Sequence, residues 1–247
     1  MSEAPPRPAR SMLVVGAGDA TGGAIARRFA REGYAACVTR RTADKLQPLV
    51  ERIRAEGGVA HAFASDARDE AAVASLFSTI ESTIAPLEVV VFNIGANVRF
   101  PITEMTERVY RKVWEMGALA GFLVGREAAR AMLPRRAGTI VFTGATASLR
   151  GGAGFAAFAG AKHALRALAQ SMARELGPQG LHVAHVVIDG AIDTEFIANN
   201  FPERYALKDQ GGILDPEAIA ENYWQLHRQP RSAWTHELDL RPWMEKW

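Results

Sequence analysis

The run Gly16-Ala17-Gly18-Asp19-Ala20-Thr21-Gly22-Gly23 follows directly on the apolar residues Leu13–Val15. Glycines packed this densely let a chain bend sharply and bring its backbone against a pyrophosphate. A helix starting there adds free N–H groups and the positive end of its dipole. The spacing departs from Gly-x-Gly-x-x-Gly because position 21 is threonine, and an ordinary strand–helix turn fits the same residues. A second feature is charge. From Gly33 to Ala43 there is no acidic residue, and Arg40-Arg41 stand at the end of an apolar run. A guanidinium grips a phosphate with two charge-assisted bonds, although a solvated basic pair on a loop is common. Third, Phe158 and Lys162 are four residues apart and share a face if the segment is helical. Asp189, before Gly190, is an acid or base if burial raises its pKa and a turn residue otherwise.

Other reactive side chains lack a context. His163 follows Lys162, one helical step away from its face, and His182 and His185 have no partners at metal-ligand spacing. Cys37 sits inside an apolar run and reads as core. Ser11, Ser148 and Ser171 have no nucleophile-elbow surroundings. No metal-binding or nucleic-acid motif is found.

The elements that position these residues alternate along the chain. Strand character marks residues 13–15, 35–39, 59–64, 89–92, 139–142 and 183–188, with a weakly alternating stretch at 234–240. Helical spacing marks 24–30, 43–55, 70–84, 103–133 (softened around 117–125), 155–176 and 216–227. This pattern predicts an α/β fold: a single Rossmann-type domain over 11–247 with a doubly wound parallel sheet of about seven strands. Residues 1–10, with three prolines, are expected to be a disordered tail.

Composition narrows the class. The 247 residues are 48% hydrophobic and 23% charged, which excludes a mostly disordered chain. A net charge of +2 does not argue for nucleic acid, and no apolar run reaches membrane-span length. The N-terminus lacks signal-peptide character, and a single cysteine fits a reducing compartment. The expected location is the cytoplasm, with neither nucleic acid nor membrane as a partner.

Residues 11–195 resemble the short-chain dehydrogenase/reductase family. That family opens with Gly-x-x-x-Gly-x-Gly; Gly16 and Gly22 match and Ala20 replaces the middle glycine. Asp66 in Ser65-Asp66-Ala67 matches the acid that binds the adenine amino group. Asn93-Ile94-Gly95-Ala96 resembles Asn-Asn-Ala-Gly, and Asp189-Gly190-Ala191-Ile192-Asp193-Thr194 resembles Pro-Gly-x-x-x-Thr, with Asp189 for the proline. The resemblance implies a nicotinamide dinucleotide held by Gly16, Gly18, Asp19, Ala20, Thr21, Gly22, Asp66, Ala67, Asn93, Gly95, Lys162, Gly190, Ile192 and Thr194. Arg40 and Arg41, in place of a strand-end acid, point to NADP(H) over NAD(H).

The resemblance also implies hydride transfer to or from a carbonyl or alcohol, served by tyrosine, lysine, serine and asparagine. Only Lys162 carries over. Phe158 stands for the tyrosine, Ala145 for the serine and Gly117 for the asparagine. Enoyl-reductase relatives place a tyrosine seven residues before the lysine, where this chain has Phe155. Thr146, Tyr205 and Asp189 are the polar candidates left to move a proton. Two functions follow as expectations: an NADP(H)-dependent oxidoreductase with a non-standard proton route, or a catalytically silent dinucleotide-binding or oligomer-partner protein. Residues 151–155, Phe158, Met116, Phe196 and Tyr205 are expected to border an apolar pocket for a small hydrophobic substrate. Trp224, Trp234, Trp243 and Trp247 crowd the C-terminal end. With the family's habit of pairing through its last helix and strand, they predict a homodimer or homotetramer built on 216–227 and 234–240.

Overall fold

Valine-rich strands without polar alternation are stable only when both faces of their sheet are covered. The computed structural model, which describes residues 9–246, contains such a sheet. Its strands are β1 (Ser11–Val15), β2 (Ala35–Arg40), β3 (Val59–Ala64), β4 (Leu87–Phe92), β5 (Gly138–Thr143), β6 (Leu181–Ile188) and β7 (Glu237–Leu240). All pairs are parallel, in the order β3-β2-β1-β4-β5-β6-β7. Every residue of β1 and β6 is buried.

The helices are α1 (Thr21–Ala30), α2 (Gln47–Ala55), α3 (Glu70–Thr79), α4 (Glu107–Trp114), α5 (Ala120–Met132), α6 (Ala156–Leu176), α7 (Glu195–Asn200), α8 (Pro202–Tyr205) and α9 (Pro216–Arg228). One face of the sheet packs against Phe29 of α1, Ile53 of α2 and Tyr223 of α9. The other packs against Phe77 of α3, Leu123 of α5 and Leu165 of α6. β1 lies between β2 and β4, so the chain reverses its direction of travel across the sheet there. A crevice opens beyond the strand ends at such a switch point, and the glycine run leaves β1 into it.

Several boundaries differ from the sequence expectation. The helix expected over 103–133 starts at Glu107, because the Thr106 hydroxyl accepts from the Val109 N–H and caps it there. It then widens into one π-type turn over Glu115–Leu119 before α5. The helix expected over 70–84 ends at Thr79, followed by a second wide turn, Ile80–Ile84. The last strand begins at Glu237, since Trp234 is spent in stacking on His182 with ring centroids 4.9 Å apart. Residues 1–8 of the expected tail and Trp247 lie outside the described residues. Arg10 is engaged, with its guanidinium 4.2 Å from the centre of the Tyr34 ring.

Candidate functional site

The glycine run forms a cradle because several of its positions admit no side chain. Gly16 has φ +89°, and a Cβ there would lie 2.9 Å from the Asn93 carbonyl oxygen. A Cβ on Gly22 would lie 2.9 Å from both the Ala17 Cα and the Gly16 oxygen, and one on Gly23 would strike the Gly18 oxygen at 2.4 Å. Gly18 faces open space and Asp19 is exposed. The Asn93 amide donates to the Gly16 oxygen at 3.2 Å, tying the end of β4 to the turn. α1 begins after Ala20 with no side-chain cap and no acid in its first turn, and the Thr21 hydroxyl is buried without a partner among the described residues. An uncapped, acid-free helix start with an orphaned hydroxyl fits a bound pyrophosphate.

Beside the cradle lies a cavity of about 180 Å³ lined by Gly16, Thr39, Arg40, Arg41, Ser65, Asp66, Ala67, Arg68, Ile94 and Met116, among others. The hydroxyls of Thr39 and Ser65 are buried here and have no hydrogen-bond partner among the described residues. Buried hydroxyls left unmatched in a polar cleft fit the hydrogen-bonding edge of a nucleoside. Asp66 does not stand alone. Arg68 pairs with both of its oxygens and holds the Asp66 carboxyl below the usual carboxylate range.

Lys162 is buried on α6. Its Nζ donates to the Ile94 oxygen at 3.0 Å, just beyond β4, and to the Thr143 oxygen at 2.8 Å, at the end of β5. Burial pulls its pKa down to about 8. Phe158 lies on the same face, its ring centre 5.9 Å from Nζ. Where the resemblance implies hydroxyls, Phe158, Ala145, Phe155 and Ala147 pack into one apolar cluster. Gly117 sits in the π-type turn, where a Cβ would come within 2.9 Å of the Ala161 Cβ. An asparagine there requires this turn to move away from α6.

Asp189 directly follows β6 and is almost wholly buried. Thr146 Oγ1 donates to its Oδ1 at 2.5 Å, Arg150 reaches both oxygens at 3.4 and 3.5 Å, and its own N–H bonds to the Leu240 oxygen. Two of the three polar candidates from the sequence, Thr146 and Asp189, are therefore bound to each other. Gly190 carries φ +151°, and a Cβ on it would meet Pro242 at 2.7 Å. Ile192 pairs with Leu214 in an isolated bridge, and the Thr194 hydroxyl caps α7 by accepting from the Ile197 N–H. Tyr205 pairs with Lys208 on the surface. His185 is buried with Nδ1 3.0 Å from Glu237, and burial lowers its pKa to about 4. Cys37 lies in the core, where burial raises its thiol pKa to about 12.

Thr39, Ser65 and Arg68 line the cleft although the sequence did not mark them as ligands. The two hydroxyls sit at or just past the ends of β2 and β3, and Arg68 two residues beyond Asp66, so strand-end position was the available clue. Among the described residues no group of three or more His, Cys, Asp or Glu side chains is placed to hold a metal, and no helix is long and apolar enough to cross a membrane.

The model of the short-chain dehydrogenase family matches residues 10–204. The chain belongs to that family. Its members are oxidoreductases that bind a nicotinamide dinucleotide. The 3-oxoacyl-(acyl-carrier-protein) reductase MabA of Mycobacterium avium is 35% identical over 186 residues, 75% of this chain and 68% of that protein. A short-chain dehydrogenase structure from Rhodopseudomonas palustris is 50% identical, with TM-score 0.82 over 95% of this chain and 99% of that one. A metagenomic short-chain oxidoreductase solved in complex with NADP shares the fold at 24% identity, with TM-score 0.79 over 96% of this chain and 98% of that one.

Proposed function

We propose that this short-chain dehydrogenase is an NADP(H)-dependent oxidoreductase acting on a small hydrophobic carbonyl or alcohol, with a proton route that uses no phenol. The observation that carries this reading is the survival of a shaped nucleotide cleft together with Lys162. Gly16, Gly18, Asp19, Ala20, Thr21 and Gly22 would hold the pyrophosphate, and Arg40 and Arg41 the 2′-phosphate. Asp66, Ala67, Asn93 and Gly95 would border the adenosine, and Gly190, Ile192, Thr194 and Lys162 the nicotinamide half. When bound, the nicotinamide supplies the hydride donor or acceptor. Lys162 is a cation at neutral pH, and two of its N–H groups are held by carbonyl oxygens. Its lowered pKa lets it release a proton more readily than a lysine in water does, through its remaining N–H or a bridging water. The apolar faces of Phe155 and Phe158 favour a substrate with little polarity beyond the reacting oxygen.

A second reading, a dinucleotide-binding protein without turnover, is favoured by the apolar cluster that replaces the hydroxyls and by the Gly117–Ala161 contact. Calorimetric titration with NADPH and NADH tests the cofactor. NADPH consumption with a carbonyl panel, beside a Lys162→Ala control, then separates the two readings. Arg41→Ala should weaken NADPH binding about 10- to 100-fold, as expected for losing bonds to a charged phosphate, and NADH binding hardly at all. Equal affinities for the two cofactors in the unmodified protein would sink the preference.

The reading includes a cytoplasmic homodimer or homotetramer assembled through α9 and β7. β7 is an edge strand, and Trp243 beyond it is 78% exposed, its Nε1 donating to the Gln210 oxygen. Trp224, by contrast, is buried within its own chain between Phe29 and Tyr34. Tyr110, Trp114 and Phe122 offer another exposed apolar face on α4 and α5. Light scattering should show an oligomer for the full chain and weaker association for a chain ending at Leu240. A monomeric full chain contradicts the assembly, and an unchanged oligomer after truncation removes the tail's part in it.

A further inference from the structure

In the family resemblance Asp66 accepts a hydrogen bond from the adenine amino group. In this chain the carboxylate is engaged already. Arg68 folds back along it: Nε donates to Oδ1 at 2.9 Å and Nη2 to Oδ2 at 2.6 Å, while the Arg68 backbone N–H adds a bond to Oδ1 at 3.1 Å. A carboxylate offers about four lone-pair sites, and these bonds take most of them. Planar two-point pairing also fixes the guanidinium, which lysine at the same position cannot reproduce. The Nη1 group of Arg68 makes no hydrogen bond among the described residues, and the side chain is 28% exposed. It is a cation held in place with donors to spare.

The position gives those donors a purpose. Arg40, Arg41 and Arg68 line one cavity, together with the buried, unpartnered hydroxyls of Thr39 and Ser65. Asp66 is the one acid in that lining. Unpaired, it would repel a phosphate; paired with Arg68, its charge is cancelled and the cavity remains positive. We propose that Arg68 is a third arm of the site for a 2′-phosphorylated adenosine, and that Asp66 is its positioning residue and not an adenine ligand. The inference rests on the NADP(H) reading above, and assigns the specificity of that site to a residue beyond the end of β3.

Calorimetry with the fragments 2′,5′-ADP, 5′-AMP and 5′-IMP on the full chain tests it without turnover. Arg68→Ala should weaken 2′,5′-ADP binding by about tenfold or more and 5′-AMP binding by less than about threefold, the size expected for lost bonds to a charged group. Arg68→Lys, which keeps the charge without the fork, should fall between, and thermal melts check that each variant folds. The unmodified protein should bind 5′-AMP and 5′-IMP within about threefold of each other, with no change of that ratio in Asp66→Asn, since losing a real acceptor for the amino group costs more. Equal loss of 2′,5′-ADP and 5′-AMP in Arg68→Ala overturns the third arm. A strong preference for 5′-AMP over 5′-IMP that collapses in Asp66→Asn restores Asp66 to the adenine. In both cases a preference resting on Arg40 and Arg41 still stands. If the unmodified protein binds 2′,5′-ADP no better than 5′-AMP, this inference and the NADP(H) preference fall together.

Discussion

The double substitution Phe158→Tyr with Ala145→Ser is expected to raise NADPH-dependent reduction of a hydrophobic ketone by about 10²–10⁴, the usual worth of a positioned proton donor. Neither single change should approach its half of that factor on a logarithmic scale. Phe158→Tyr alone puts a hydroxyl on the face that carries Lys162, but nothing orients the substrate oxygen towards it. Ala145→Ser alone orients an oxygen that nothing protonates. Positions 145 and 158 belong to one packed cluster, so the two hydroxyls would act on one atom and their effects should couple. The kcat/KM values of the four proteins form the cycle. Strictly additive effects would mean that 145 and 158 do not face a common substrate atom. The rate should still fall short of a full tetrad, because Gly117 packs against Ala161 and leaves no room there for an asparagine. A serine hydroxyl set among Phe155, Phe158 and Ala147 also carries a cost, about 1–3 kcal/mol where it finds no partner. Thermal melts should accompany the kinetics.

The sheet was legible because its strands are short apolar runs separated by helical spacing, and right-handed parallel crossovers leave few ways to arrange them. The cradle was legible for a related reason. Gly16, Gly22 and Gly23 stand where backbone meets backbone, and that requirement shows as glycine in the sequence. The vacated chemistry was equally plain, since Phe158 and Ala145 cannot hide a hydroxyl. What escaped were pairings set by side-chain direction. Thr146 and Asp189 are 43 residues apart and meet only because β5 and β6 are neighbours, so each was weighed separately as a proton donor when each in fact occupies the other. Arg68 is two residues from Asp66, yet whether it turns to the carboxylate or to solvent depends on the bend of the chain after β3. The approach of the C-terminal segment to the loop after β6, which brings Pro242 beside Gly190, has no sequence signature at all. Helix boundaries failed where one residue overrode periodicity, as the Thr106 cap does at the start of α4.

Lys162→Met should change how stability depends on pH more distinctly than it changes stability at any one pH. Burial holds the folded pKa of Lys162 near 8 against an ordinary 10.5. Between those values the unfolded chain binds a proton that the folded chain has released, so the lysine's contribution to stability rises with pH across that window. Above it both states are neutral at this position. Below about pH 8 both are protonated, and the folded state bears the whole cost of a buried ammonium, on the order of 3 kcal/mol for a shift of this size. Methionine has nothing to titrate. It does leave the Ile94 and Thr143 oxygens without their donor, at about 1–3 kcal/mol each, but that loss is the same at every pH. The stability difference between the unmodified protein and Lys162→Met should therefore move by about 3 kcal/mol in favour of the unmodified protein between pH 8 and pH 10.5. Shifts at Cys37 and Tyr34 are common to both proteins and drop out of the difference. Urea unfolding of the pair at half-unit intervals from pH 7 to 10.5 measures it. A difference that stays flat across the window would show that the Lys162 ammonium is not desolvated in the folded protein, and its part as a readily released proton at the nicotinamide end of the cleft would go with it.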